Sequence, residues 1–133
     1  MKINRETDYA LRIMRFLARR DDFTGASIIA ETAEVPARFT LKILHKLVQG
    51  GLVCSRKGAS GGYKLNRRPS EINMLQIIEV IDGPISIFEC LDGDYVCPNP
   101  AQEGCSCVYN HIFGEIRDLV SDKLRGVTLD MVI

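Results

Sequence analysis

The chain has 133 residues, 46% of them apolar and 26% charged, enough for one hydrophobic core and too apolar for a disordered segment. Its 17 basic and 17 acidic side chains cancel, yet residues 1–70 carry 14 Lys/Arg against 6 Asp/Glu and residues 71–133 carry 3 against 11. No run is long and apolar enough to span a membrane, and Met1-Lys2-Ile3-Asn4-Arg5 is no signal stretch, so a cytoplasmic chain with a nucleic-acid-facing basic half is expected.

Tyr9, Ala10, Ile13, Met14, Phe16 and Leu17 recur at helical spacing, which predicts a helix over 7–20, broken by Asp21-Asp22-Phe23-Thr24-Gly25. Ser27 is the expected cap of a short second helix over 28–33. Pro36 suits the start of a third, over 37–49, with Phe39, Leu41, Ile43, Leu44, Leu47 and Val48 as its candidate buried side and Gly50-Gly51 as its stop. Residues 52–56 and 63–65 read as strands around the glycine-rich tip Lys57-Gly58-Ala59-Ser60-Gly61-Gly62. Asn66 to Ser70 is a linker. Asn73 and Gln76 form a capping box for a helix burying Met74, Leu75, Ile77, Ile78, Val80 and Ile81, which stops at Asp82-Gly83-Pro84. After a Gly-, Pro- and Asp-rich loop, a long helix spans 108–125, with Val108, Ile112, Phe113, Ile116, Leu119, Val120 and Leu124 on one stripe and Gly126 at its end.

Three helices followed by a basic, glycine-tipped hairpin is the order of a winged helix-turn-helix. The expected fold is therefore mainly α. A DNA-binding region covers 1–68, and a cysteine loop with dimerisation helices covers 69–133, within one compact domain. The start of the third helix would enter the major groove. Arg38 can grip a guanine or a phosphate, Thr40 can meet a base edge and Lys42 can do either. Phe39 serves the core or touches a thymine methyl. In the wing, Arg56, Lys57 and Ser60 sit beside glycines that let the backbone approach a narrow minor groove. The apolar stripe on the last helix calls for a cover, either the N-terminal module or a two-fold copy of itself. A symmetric homodimer matches a palindromic double-stranded DNA site.

Four cysteines, Cys90, Cys97, Cys105 and Cys107, fall within eighteen positions, with His111 just beyond. In a reducing compartment they point to a metal or cluster rather than disulfides. Zinc modules present two close Cys pairs, and here only Cys105 and Cys107 are close. Spread thiols suit an iron–sulfur cluster better, with structural zinc and bare redox thiols as alternatives. Cys54, in a strand, reads as a small buried residue. No nucleophile–base pair or phosphate-binding glycine motif is present, so an enzyme is not expected. A small iron–sulfur electron-transfer protein is the rival outside DNA binding. It would need the cysteines but no basic reading face.

The chain resembles the IscR/NsrR-type winged-helix transcriptional regulators, the Rrf-two family, over nearly its whole length. The resemblance is carried by Thr7-Asp8-Tyr9-Ala10-Leu11, by Arg56 to Tyr63 in the wing, by Ile81-Asp82-Gly83-Pro84, by the loop cysteines and by Val127-Thr128-Leu129. It implies a homodimeric repressor with crossing long helices. An iron–sulfur cluster, [4Fe-4S] or [2Fe-2S], on three cysteines would sense redox state, iron or nitric oxide. Family spacing favours Cys90, Cys97 and Cys107, with Cys105 as the alternative third ligand. IscR-like members place a histidine three residues after the last cysteine. That position is Asn110 here, and His111 follows it. Nitric-oxide-sensing members take a fourth ligand from the first helix of the partner subunit, at the position of Asp8. The implied mechanism is allosteric: reordering residues 90–107 shifts the long helix and the two recognition helices.

Overall fold

The computed structural model describes residues 2–95 and 107–133. The described elements run α1 (Arg5–Ala18), α2 (Ala26–Ala33), α3 (Ala37–Gln49), β1 (Val53–Arg56), β2 (Gly62–Leu65), α4 (Met74–Asp82) and α5 (Val108–Arg125). Short 3-10 turns lie at Pro69–Glu71, Glu89–Leu91 and Leu129–Val132.

Helix α1 begins earlier than its apolar pattern, because the Asn4 side chain accepts a hydrogen bond from the Thr7 amide at 2.8 Å. Ala10, Ile13, Met14 and Leu17 face inward, and Arg12, Arg15 and Arg19 stay in solvent. Ser27 does not cap α2. Gly25 holds the N-cap position without a side-chain bond, and Ser27 is exposed inside the first turn. The reason lies across the chain. Thr24 and Tyr63 exchange two backbone hydrogen bonds, of 3.0 and 2.8 Å, which keep the backbone extended up to Gly25. Gly62 allows that contact: its φ is +134°, and a Cβ there would lie 2.3 Å from the Thr24 carbonyl oxygen. The wing is thus pinned to the segment that launches α2. Its strands pair antiparallel from Val53 opposite Leu65 to Arg56 opposite Gly62.

Helix α3 has the expected bounds and most of its expected buried face, with Thr40 inside in place of Leu41 and with Phe39 and Val48 only partly buried. Thr40, Ile43, Leu44 and Leu47 are buried, at i, i+3, i+4 and i+7, and Leu41 is 55% exposed. At its C-terminal end Gly50 meets α4 so closely that a Cβ would lie 2.6 Å from Val80. The capping box of α4 forms as read, with Gln76 N donating to Asn73 Oδ1 and Asn73 N donating to Gln76 Oε1. Leu75, Ile77, Ile78 and Ile81 of α4 are buried, and Met74 and Val80 are partly so.

One core joins α1, α2, α3, the hairpin base, α4 and the C-terminal turn through Ile13, Leu17, Ile29, Leu44, Leu52, Ile77 and Leu129. The chain after α5 returns to it: Leu129 N donates to Ile72 O at 2.8 Å, and Met74 N to Val127 O at 2.9 Å. Helix α5 itself has no buried residue. Leu119 is 70% exposed and Val108 66%, and Ile112 and Ile116 are also exposed.

Candidate DNA-reading surface and cysteine site

The first two turns of α3 present Arg38 and Lys42 to solvent. The Arg38 guanidinium lies 4.9 Å from the Phe39 ring centre, and Phe39 packs on Tyr9 at 5.7 Å. Half-buried Phe39 therefore forms a platform between the core and Arg38. Thr40 does not reach outward. It is fully buried, and its hydroxyl faces the carbonyl oxygens of Pro36 at 3.2 Å and Val35 at 3.4 Å. A buried hydroxyl needs a partner, and this one is already spent on the turn before α3. The i, i+3, i+4, i+7 stripe contains the signal that would have placed it inside.

A polar knot behind this surface was not read from the sequence. Glu6 of α1 lies 2.7 Å from Lys46 Nζ and 3.6 Å from Lys42 Nζ. The hydrogen bond from Lys46, helped by the charges of both lysines, holds the Glu6 carboxyl below its ordinary value against the opposing effect of burial. Lys46 also donates to the Ile81 carbonyl at 3.3 Å, and Asn4 donates to Asp82 at 2.8 Å. Helix α3 is thus tied to the end of α4. In the wing, Arg56 donates to the Ser60 carbonyl at 2.8 Å and stacks 4.2 Å over the Phe23 ring, bracing the tip. Lys57 and the Ser60 side chain are exposed beside it.

Two of the candidate ligands come to one end of α5. Cys90 sits on the Glu89–Leu91 turn, half-buried, and Cys107 is the N-cap residue of α5. Asn110, in the first turn of α5, donates to Cys90 Sγ at 3.3 Å. Phe88 stacks on Phe113 at 4.7 Å and holds the same segment against the helix. Cys54, Cys90 and Cys107 are free thiols, and the Cys54 thiol is half-buried, 3.5 Å from the Lys64 carbonyl. Cys97 and Cys105 lie outside the described residues. Among the described residues, no three metal-ligating side chains gather at one point.

The two candidate fourth ligands already have partners in the chain. His111 lies 3.4 Å from Glu115, and Asp8 lies 2.9 Å from Arg12. All four side chains are well exposed, so neither contact is strong. Free sulfurs at one helix end, unlike an all-oxygen set, suit iron or an iron–sulfur cluster, so the donors described fit such a group.

The likeness to known proteins runs along the whole chain. A family described as "Iron-dependent Transcriptional regulator" matches residues 3–133. The regulator NsrR of Oceanobacillus iheyensis is 34% identical over 135 residues, covering 100% of this chain and 90% of that protein. The regulator CymR of Bacillus subtilis is 33% identical over 132 residues, covering 98% and 88%. Among solved structures, CymR (YrzC), titled the global cysteine regulator of B. subtilis, superposes with a TM-score of 0.77 at 30% identity over 99% of this chain and 95% of that one. The T. potens IscR structure shares the fold, with a TM-score of 0.77 at 22% identity over 99% and 85%. A helix-turn-helix, a glycine-hinged wing and a cysteine-bearing approach to a long C-terminal helix all lie within that match, and the chain belongs to the Rrf2 family of transcriptional regulators.

Proposed function

We propose that this regulator is a homodimeric DNA-binding repressor whose affinity for a palindromic site is set by an iron–sulfur cluster. The observation that carries the reading is the meeting of Cys90 with the first turn of the helix that Cys107 caps. Cys90, Cys107 and, from outside the described residues, Cys97 would hold the cluster, with Cys105 as the alternative to Cys107. Asp8 of the partner subunit or His111 would complete the set. When bound, the cluster supplies a centre sensitive to oxidants, iron supply or nitric oxide.

The chain's own part is mechanical. Cys90 lies on the path from α4 to α5 and Cys107 immediately precedes α5, so a group holding both sulfurs would set the position of the start of α5. Helix α4 is fastened to the recognition helix by the Gly50–Val80 approach and the Lys46–Ile81 bond. Arg38, Lys42, Arg56, Lys57 and Ser60 form the reading surface, with Phe39 supporting Arg38. The exposed stripe Val108, Ile112, Ile116 and Leu119 is the face a second copy would cover.

The test is anaerobic purification, counting of iron and sulfide, and Mössbauer spectroscopy. Cys90→Ala and Cys97→Ala should each remove the visible absorbance. Colour retained in both variants would sink the cluster assignment. Arg38→Ala and Lys42→Ala should weaken duplex binding and flatten its salt dependence while leaving the iron count unchanged. The second reading is a clusterless thiol regulator. It is favoured by the likeness to CymR, one structure of which, from Staphylococcus aureus at 25% identity, is titled an oxidized form. Iron-free protein whose DNA affinity follows thiol oxidation would establish it.

A further inference from the structure

We infer that Asn110 is a positioning residue for Cys90: its amide donates to the Cys90 sulfur and fastens the cysteine turn to the first turn of α5. The inference rests on the reading of Cys90 as a cluster ligand. Asn110 Nδ2 lies 3.3 Å from Cys90 Sγ and 3.4 Å from the Cys90 carbonyl oxygen. A primary amide has two N–H donors, so one side chain can hold one residue at two points.

Helix propensity does not account for asparagine at this place. Asn110 is the third residue of α5, where asparagine is a poorer helix former than alanine. The N-cap role that suits asparagine belongs to Cys107, which caps without a side-chain bond. The contact with Cys90 supplies the reason. Two neighbours reinforce it: Phe88 stacks on Phe113, and Leu91 reaches within 3.8 Å of where a Cβ on Gly114 would stand. Residues 88–91 are thereby laid along the start of α5, with the Cys90 sulfur held by the amide.

The amide presents nitrogen, not oxygen, to the sulfur, so Asn110 acts on a ligand rather than as one. Outer-shell donors orient metal ligands, and hydrogen bonds to ligand sulfurs favour the reduced, more negative state of a cluster. Removing the donor should therefore lower the reduction potential without removing the cluster. Alanine is the better helix former, so Asn110→Ala keeps α5 intact.

Two measurements test this on the full chain. In metal-free protein, heteronuclear NMR should show the Asn110 side-chain amide protons shifted and slow to exchange. Cys90→Ala should abolish both features, and Cys54→Ala should leave them. In anaerobically purified protein, Asn110→Ala should hold wild-type iron and sulfide with a lowered midpoint potential, and Asn110→Gln, which keeps a donor, should recover part of the shift. An Asn110 amide indifferent to Cys90, an unchanged potential, or loss of iron from Asn110→Ala would each overturn the role. A wild-type chain without iron would instead sink the cluster reading and leave the NMR arm to decide the contact.

Discussion

Helices α3 and α5 are both amphipathic, and they have opposite fates. Helix α3 buries Thr40, Ile43, Leu44 and Leu47 in its own chain. Helix α5 has no fully buried residue, and Leu119 on its apolar stripe is 70% exposed. Helix α3 packs its apolar face into the core and so holds Arg38 and Lys42 outward in a fixed register. Helix α5 leaves Val108, Ile112, Ile116 and Leu119 of its apolar stripe open, which is the condition for the proposed pairing with a second copy. One chain thus uses the same pattern to finish a core and, on the proposed reading, to meet a second copy.

The strongest way to break the contrast is a pair of truncations. Ile43→Ala, in the core, should cost about 2–5 kcal/mol in urea unfolding. Leu119→Ala should leave unfolding extrapolated to low protein concentration almost unchanged. Equal losses would mean that α5 belongs to the same core as α3. Next in size is Leu119→Glu, which should shift the sedimentation profile toward a monomer and remove any dependence of melting temperature on concentration. A dimer that persists would place the interface elsewhere.

Within α3 the contrast is between neighbours. Thr40→Val removes a buried hydroxyl bonded to backbone carbonyls and should cost about 0.5–1.5 kcal/mol of stability with DNA binding intact. Arg38→Ala should do the reverse, sparing the fold and weakening binding by about 1–3 kcal/mol if it grips a base. Parallel titrations of unfolding and of fluorescence anisotropy on duplex DNA separate the two.

The smallest effect concerns Glu6. Its carboxyl is held below the ordinary value of 4.5, chiefly by Lys46. A depressed folded-state value means a contribution fully present above the unfolded value and lost as pH falls through the folded one. The advantage of the native chain over Glu6→Gln should be under about 1 kcal/mol at neutral pH, since the pair is partly exposed. It should shrink as pH drops below about 4.5, the ordinary carboxylate value. An advantage constant down to the acid transition would show that the contact does not depend on the charge.

What could be read from the sequence follows from how local its signals are. The Asn73–Gln76 box, the glycines ending α3 and the tip of the wing each act within a few residues, and all three formed as expected. The misreadings of Ser27 and Thr40 arose where a local preference yielded to tertiary structure. Ser27 is a good cap in the wrong place, because Tyr63, far along the chain, decides where the extended backbone ends. Thr40 is polar and its type favours an outward position, yet the turn at Val35 and Pro36 satisfies its hydroxyl inside.

The site divides in the same way. Charge partition, helix order, glycine spacing and the crowding of cysteines are properties of the chain itself, and they sufficed to indicate a winged DNA reader with a thiol-rich loop. Which side chains touch was decided only by packing. Glu6 meets Lys46, Lys46 meets Ile81 35 residues away, Asn4 meets Asp82 78 residues away and Asn110 meets the Cys90 sulfur across 20. Such pairs carry no periodicity and no motif. They exist because packing the helices brings polar groups from distant parts of the chain within reach of each other, at the core for Glu6 and Lys46 and at the start of α5 for Asn110.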